Sequence, residues 1–235
     1  HQEALQFYSL ESNPKDSAAI QINLGRAYTG LARLEARTYN CERAIQSYRE
    51  ALRIDLPGQP LPGTATLAGI YQELGGVYLL LAESEAAHSE TAFQKERPPQ
   101  LEGKAEAYRQ AILAYENAIK IYQSENLLEF AQLKAKTGDL RVKLAEIAGM
   151  IYSAAKEANF SEKSGGAARE VVSPGETGGG ITNRQVDNLH QAAADYRDAA
   201  NILNLGSFPG QYGELQAKLG AIYGKLNDLE QLPSH

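Results

Sequence analysis

Two short motifs alternate along the chain, and they constrain its fold more than any other feature. In the first, a glycine is followed three positions later by a tyrosine: Gly25 and Tyr28, Gly75 and Tyr78, Gly149 and Tyr152, Gly220 and Tyr223. The second has the spacing Ala-x3-Tyr-x2-Ala: Ala44, Tyr48 and Ala51; Ala111, Tyr115 and Ala118; Ala192, Tyr196 and Ala199. Because these spacings place the members of a motif on one helix face, the alternation predicts two kinds of helix.

The order of the motifs resembles the tetratricopeptide repeat. Leu24-Gly25-x2-Tyr28, then Ala44-x3-Tyr48-x2-Ala51 and then Pro57, follow the pattern of that family, although its early tryptophan is absent. The resemblance implies an all-α fold in which antiparallel helix pairs, A and B, stack as a short α-α superhelix. In such pairs glycine and alanine let the backbones approach, and tyrosine and leucine fill the space beside them.

The spacing between the motifs departs from the family pattern. Ala44 follows Gly25 by 19 residues, whereas the A-helix glycine of a regular repeat precedes the B-helix alanine by about 12. The same separation is 36 residues from Gly75 and 43 from Gly149. We therefore expect one irregular repeat domain over residues 1–235 with extended helices. Its expected units are 17–57, 64–124 and 127–204, with partial units at 1–14 and 211–230 and a flexible Gly/Ser-rich insert at about 160–183.

Composition excludes several classes of protein. The chain has 23 Lys and Arg against 29 Asp and Glu, a net charge of -6, so we expect no nucleic acid partner. It contains no run of the roughly 20 apolar residues that a membrane span needs. A single cysteine and no signal-peptide pattern favour a cytoplasmic protein. An array that begins on a B helix without an initiator Met and ends on an A helix favours a piece of a longer protein.

Residues that could carry catalysis do not form a recognisable constellation. The four histidines are scattered, with no His-x3-His spacing, and the glycine-rich stretch at 175–180 lacks the Lys-Ser/Thr ending of a phosphate-binding loop. Cys41 is expected in the first A-to-B turn, where an incidental small residue is favoured over a nucleophile. The sequence therefore predicts a protein that is not an enzyme and that needs no metal or cofactor.

The family resemblance also implies where a ligand would bind. In tetratricopeptide arrays the A helices line a groove, and counting from each glycine gives the candidate positions in this chain. They are Asn23, Arg26, Thr29, Gln72, Glu73, Glu146, Lys218 and Lys225. Their mixed charges do not support a clamp for a peptide carboxylate, and for each of them an ordinary solvated helix face remains the alternative.

The expected function is therefore a scaffold that binds a protein or peptide through the A helices. A second possibility is the sensor or regulatory array of a larger bacterial enzyme, such as a signalling ATPase or a caspase-like protease. The spelling Asn23-Leu24-Gly25-Arg26-Ala27-Tyr28 is similar to arrays in such bacterial proteins.

Overall fold

A computed structural model describes residues 14–54, 67–87, 98–164 and 174–231, except for the side chains of 85–87, 158–164 and 174–182. Within these ranges the chain forms seven α-helices and no strand. The helices are α1 (Pro14–Ala32), α2 (Arg37–Arg53), α3 (Leu67–Ala87), α4 (Pro98–Glu125), α5 (Leu127–Ser164), α6 (Pro174–Ile202) and α7 (Pro209–Glu230). The prediction of an all-α fold built from helix pairs is confirmed. The predicted partial B helix at 1–14 lies almost wholly outside the described residues.

Several helix ends follow from local sequence. Four of the helices described above begin at a proline: Pro14, Pro98, Pro174 and Pro209. The N–H groups of a first turn have no partner within the helix, so proline, which has no N–H, loses no hydrogen bond there. The Asn126 side chain accepts a hydrogen bond from the backbone N–H of Glu129 at 3.2 Å, which caps α5 and separates it from α4. The break between these helices lies next to the boundary expected between units 64–124 and 127–204.

The residues group into two compact units, whereas the sequence predicts a single domain. Unit 1 comprises residues 1–96 and 102–125, and unit 2 comprises 97–101 and 126–235. Among the described residues, unit 1 contains α1, α2, α3 and most of α4, while unit 2 contains α5, α6 and α7.

The B-helix motif forms the core of both units. All nine of its residues are at most 4% exposed. Tyr48, Tyr115 and Tyr196 are therefore core residues, as the spacing predicts. Burial raises the pKa of Tyr115 to about 12 and raises that of Tyr48 and Tyr196 as well, so the three hydroxyls stay protonated at neutral pH.

Each of these tyrosines lies across an A-helix glycine, and we call this arrangement a tyrosine–glycine contact. A β-carbon added at Gly25 would lie 2.6 Å from Cε1 of Tyr48, and one added at Gly75 would lie 2.5 Å from Cε1 of Tyr115. No larger residue fits without displacing a ring, so glycine is required at these crossings. The contact fixes the antiparallel register of α1 with α2 and of α3 with α4.

The third contact corrects the sequence register. Tyr196 lies across Gly138, where an added β-carbon would be 2.6 Å from its Cε1, and not across Gly149 as predicted. At Gly149 the nearest atom belongs to the Gln185 side chain, at 3.1 Å. The A-helix glycine of this pair thus precedes Ala192 by 54 residues.

The A-helix tyrosines differ in burial more than their shared motif suggests. Tyr78 is 6% exposed and belongs to the core of unit 1, but Tyr152 and Tyr223 are 38% and 48% exposed. The tyrosine of the Gly-x2-Tyr motif is therefore buried in α3 but not in α5 or α7. In α7 the core is formed by Leu215, Leu219, Ile222 and Leu226.

The Gly/Ser-rich insert predicted at 160–183 also differs from the structure. Helix α5 continues to Ser164 and α6 begins at Pro174, so helix extends into both ends of the segment, and residues 165–173 lie outside the described ranges. Extending a helix that is already packed costs far less free energy than nucleating one. This explains why the low helix propensity of the glycine and serine residues did not end these helices sooner. None of the helices in the described ranges has the length and apolar character needed to cross a membrane.

Candidate interaction face

The A helices of unit 1 are joined at the surface by one ion pair. Arg26 of α1 donates to both carboxylate oxygens of Glu73 in α3, through Nε at 3.1 Å to each and through Nη2 at 2.9 Å to Oε1. Hydrogen bonding to Glu73 raises the pKa of Arg26. The two side chains remain 43% and 35% exposed. Two of the predicted groove residues, Arg26 and Glu73, are thus neighbours, and their opposite charges neutralise each other.

The remaining predicted residues of unit 1 lie on the same helices. Thr29 donates its hydroxyl hydrogen to the carbonyl of Gly25 at 2.7 Å, and Asn23, six residues earlier, is exposed. Gln72 accepts a hydrogen bond from the hydroxyl of Tyr122 in α4 at 3.2 Å. We call these five predicted residues, Asn23, Arg26, Thr29, Gln72 and Glu73, the A face of unit 1.

Unit 2 carries two ion pairs between α5 and α7. Lys218 lies 2.9 Å from Asp139, and Lys225 lies 2.8 Å from Glu146. Both pairs advance by seven residues along each helix, so α5 and α7 run parallel with their faces in register. Burial alone would lower the pKa of Lys218, but its hydrogen bonds with Asp139 and Glu214 raise it. We call Asp139, Glu146, Lys218 and Lys225 the A face of unit 2.

The two A faces follow one rule with opposite signs. In both units the residue after the contact glycine of one A helix pairs with the residue two before the motif glycine of the neighbouring A helix. In unit 1 the first is the cation Arg26 and the second the anion Glu73. In unit 2 the first is the anion Asp139 and the second the cation Lys218. The rule is geometric, because the same positions face each other wherever two parallel A helices pack.

Asp139 is the site residue that sequence reasoning missed. The candidate positions on α5 were counted from Gly149, whereas the glycine that contacts Tyr196 is Gly138, and Asp139 is the residue after it. It also accepts a hydrogen bond from the hydroxyl of Tyr196 at 2.6 Å. A search for the glycine that receives Tyr196, instead of for a Gly-x2-Tyr motif, would have pointed to it.

A more deeply buried ion cluster holds α5 against α6. Asp195 has a side chain only 7% exposed and accepts hydrogen bonds from Lys134 at 3.0 Å and from Arg141 at 2.8 Å. Lys134 also lies 2.9 Å from Asp198, and Arg141 also donates to Gln191. Burial alone would lower the pKa of Lys134, but hydrogen bonds with Asp198 and Asp195 raise it. This cluster pairs helices within the unit and does not belong to the A face.

Two further candidates, the cysteine and a depression along α2, are buried and occupied respectively. Cys41 lies inside α2, not in the turn predicted for it, and is fully buried; burial raises the pKa of its thiol to about 11, so it is not a thiolate at neutral pH. A depression along α2 is lined by Arg49 and Arg53, but Arg49 donates to the hydroxyl of Tyr78 at 2.5 Å and Arg53 pairs with Glu50. In the described part of the chain, no three His, Cys, Asp or Glu side chains are grouped to hold a metal ion.

Comparison with known proteins adds little to this description. No protein-family model and no curated protein matches the chain significantly. One similar solved structure, titled a DHF79 filament, is 10% identical over 93% of this chain and 90% of its own, with a TM-score of 0.41. Another, the de novo designed helical repeat protein DHR64, is 12% identical over 93% of this chain and 100% of its own, with a TM-score of 0.32. The helix-pair repeat is shown by the structure itself, and the resemblance to tetratricopeptide repeats remains an inference from the motifs.

Proposed function

We propose that this chain is an interaction scaffold, a binding module and not an enzyme, that holds a protein or peptide segment on its A faces. The observation that carries the proposal is the set of half-exposed ion pairs on both faces, at positions fixed by the contact glycines. Exposed pairs of this kind contribute little to stability, about 0–1 kcal/mol each. Their regular placement on one face therefore supports a role in recognition.

The charges of the A faces favour a particular class of ligand. Arg26, Lys218 and Lys225 each lie within 2.9 Å of a carboxylate oxygen. An anionic ligand would have to displace these carboxylates, so a phosphate group or a peptide carboxylate is disfavoured. A polypeptide segment of low net charge, with alternating polar groups that meet both members of a pair, suits the face better.

Exchanging the members of a pair tests this proposal. The double variant Arg26→Glu with Glu73→Arg keeps the internal ion pair but reverses the charge at both surface positions. Peptides selected from a random display library on the immobilised chain should bind this variant with Kd values roughly tenfold or more higher. The equivalent exchange in unit 2 is Glu146→Lys with Lys225→Glu, which leaves the hydrogen bond between Asp139 and Tyr196 in place.

The control is an exchange on a B helix. Arg53 and Glu50 in α2 form an exposed pair of 2.7 Å, and reversing it should leave peptide affinity unchanged. Thermal unfolding of all three variants verifies that the fold is retained. The proposal fails if the library yields no specific peptide, or if the selected peptides bind both A-face variants as tightly as the original chain.

A further inference from the structure

The hydroxyl of Tyr196 reaches the A face of unit 2, although its ring is buried in the core across Gly138. The hydroxyl donates to Oδ1 of Asp139 at 2.6 Å, and the ammonium of Lys218 lies 2.9 Å from the same oxygen. Burial raises the pKa of Tyr196 most, and the hydrogen bond with Asp139 raises it further, so the hydroxyl keeps the proton that it donates. One carboxylate oxygen therefore joins a core residue to a surface cation.

The same tyrosine also contacts Lys218 through its ring. The ammonium of Lys218 lies 5.6 Å from the centre of the Tyr196 ring and 2.8 Å from Glu214, one turn earlier in α7. The side chains of Lys218 and Asp139 are 31% and 43% exposed. An exposed ion pair must order two mobile side chains, and this entropy cost offsets much of its attraction. A hydroxyl fixed by a packed ring reduces that cost, because it orders the carboxylate in advance.

The second ion pair of this face has a different support. Lys225 lies 2.8 Å from Glu146, and both side chains are about half exposed. The hydrogen bond that the structure gives Glu146 comes from Lys225, whereas Asp139 also receives one from a core tyrosine. The two pairs lie on the same helices, so the tyrosine hydroxyl is the main difference between them.

In unit 1 a contact tyrosine also lies beside the ion pair. Burial raises the pKa of Tyr48 most, a hydrogen bond with Thr29 lowers it, and the charge of Glu73 and a hydrogen bond with it raise it. The hydroxyl of Tyr48 is therefore next to the carboxylate that pairs with Arg26. The anion lies on the neighbouring A helix in unit 1 and on the helix of the contact glycine in unit 2. In both units the tyrosine hydroxyl lies beside the anion.

We propose that the hydroxyl of Tyr196 is a positioning group of the A face of unit 2, which holds Asp139 and through it Lys218 in the arrangement that a ligand meets. This inference rests on the peptide binding proposed above. An ammonium has three N–H donors, and two of those of Lys218 are directed at Asp139 and Glu214. The third can meet a neutral acceptor, such as a peptide carbonyl, while the pair stays intact. Because a donor that is fixed before binding loses less entropy on binding, Tyr196 should strengthen binding without touching the peptide.

Tyr196→Phe tests the positioning, because it removes one oxygen and keeps the buried ring. Nuclear magnetic resonance relaxation of the lysine ammonium groups gives an order parameter for each of them. We expect the order parameter of Lys218 to fall in Tyr196→Phe, since Asp139 loses its link to the core. That of Lys225 should stay unchanged, because its described contacts do not involve Tyr196.

Tyr115→Phe is the matched control for the loss of a hydroxyl. The Tyr115 ring lies across Gly75 in the same kind of contact. Burial raises the pKa of Tyr115 most, and the charge of Glu83, which is not an A-face residue, raises it further. This control should leave the order parameter of Lys218 unchanged. Asp139→Asn, at a half-exposed position, is a second variant that removes the charge holding Lys218 and should lower its order parameter as well.

Peptide affinity tests the same role in binding. Some peptides from the display selection should need Lys218, which Lys218→Met identifies, and these should bind Tyr196→Phe with Kd values roughly threefold to tenfold higher. Peptides that need Arg26, identified with Arg26→Met, should bind Tyr196→Phe unchanged. Circular dichroism verifies that each variant is folded.

Failure of this inference can be told apart from failure of the proposed function. If the selection yields no specific peptide, the proposed function fails, and the order parameters still decide whether Tyr196 positions Lys218. The inference is overturned if Lys218 keeps its order parameter in Tyr196→Phe or in Asp139→Asn, or if Lys225 loosens equally. It is also overturned if the selected peptides never need Lys218, or if those that do bind Tyr196→Phe unchanged, and peptide binding itself then stands.

Discussion

Replacing Gly138 by alanine should lower the free energy of unfolding by about 1–3 kcal/mol, although alanine is the better helix former. The added methyl group would lie 2.6 Å from Cε1 of Tyr196, a ring that is 2% exposed and is held by its hydroxyl to Asp139. The ring cannot move aside without losing that hydrogen bond or opening a gap beside Ala192 and Ala199. Urea unfolding monitored by circular dichroism measures the change.

The same substitution at Gly149 provides the matched control within the same helix. There the nearest atom is Nε2 of Gln185, at 3.1 Å, at the end of a flexible side chain. The gain in helix propensity should then dominate, and Gly149→Ala should be neutral or stabilising by up to about 1 kcal/mol. If Gly149→Ala were the more damaging of the two, the register of α5 against α6 would be wrong.

Replacing Asp195 by asparagine should cost about 2–4 kcal/mol. The change leaves Lys134 and Arg141, whose side chains are 21% and 14% exposed, without the carboxylate that they share. Breaking a buried pair costs about 3–5 kcal/mol, and the remaining contact of Lys134 with Asp198 reduces that loss. The effect is measured as the shift in the urea unfolding transition at neutral pH.

Asp198→Asn is the control for this cluster. Asp198 has a side chain 47% exposed and, among the described residues, forms an ion pair with Lys134. Its substitution should cost less than about 1 kcal/mol, as for other exposed pairs. Equal losses at the two positions would show that burial does not set the strength of this cluster.

Local pattern was enough to find the B helices but not the register of the third pair. Tyr48, Tyr115 and Tyr196 are buried where the spacing predicts, although Tyr152, which has the same spacing with Ala148 and Ala155, is 38% exposed. Gly138 and Gly149 are separated by 11 residues, which is slightly more than three helical turns, so both lie on nearly the same side of α5. Only the position of α6 along α5 decides which of them receives Tyr196, and this is a tertiary property.

On the A faces, too, the local pattern predicts which residues are present, whereas their pairing depends on tertiary packing. The sequence placed Arg26, Glu73, Lys218 and Lys225 on the A helices, but it contained no information on which charges would pair. Pairing depends on how far one A helix is shifted along the next, and the long, variable segments between the motifs hide that shift. Asp139 was missed for this reason, since its role follows from the register of Gly138.

A double-mutant cycle on Gly138→Ala and Tyr196→Leu tests the tyrosine–glycine contacts most directly. Leucine removes the ring atoms that an alanine at 138 would strike. The double variant should therefore lose less free energy of unfolding than the sum of the two single losses, by about 1 kcal/mol or more. The cycle on Gly149→Ala and Tyr196→Leu should be additive within about 0.5 kcal/mol. Additivity at Gly138, or coupling at Gly149 instead, would contradict the account.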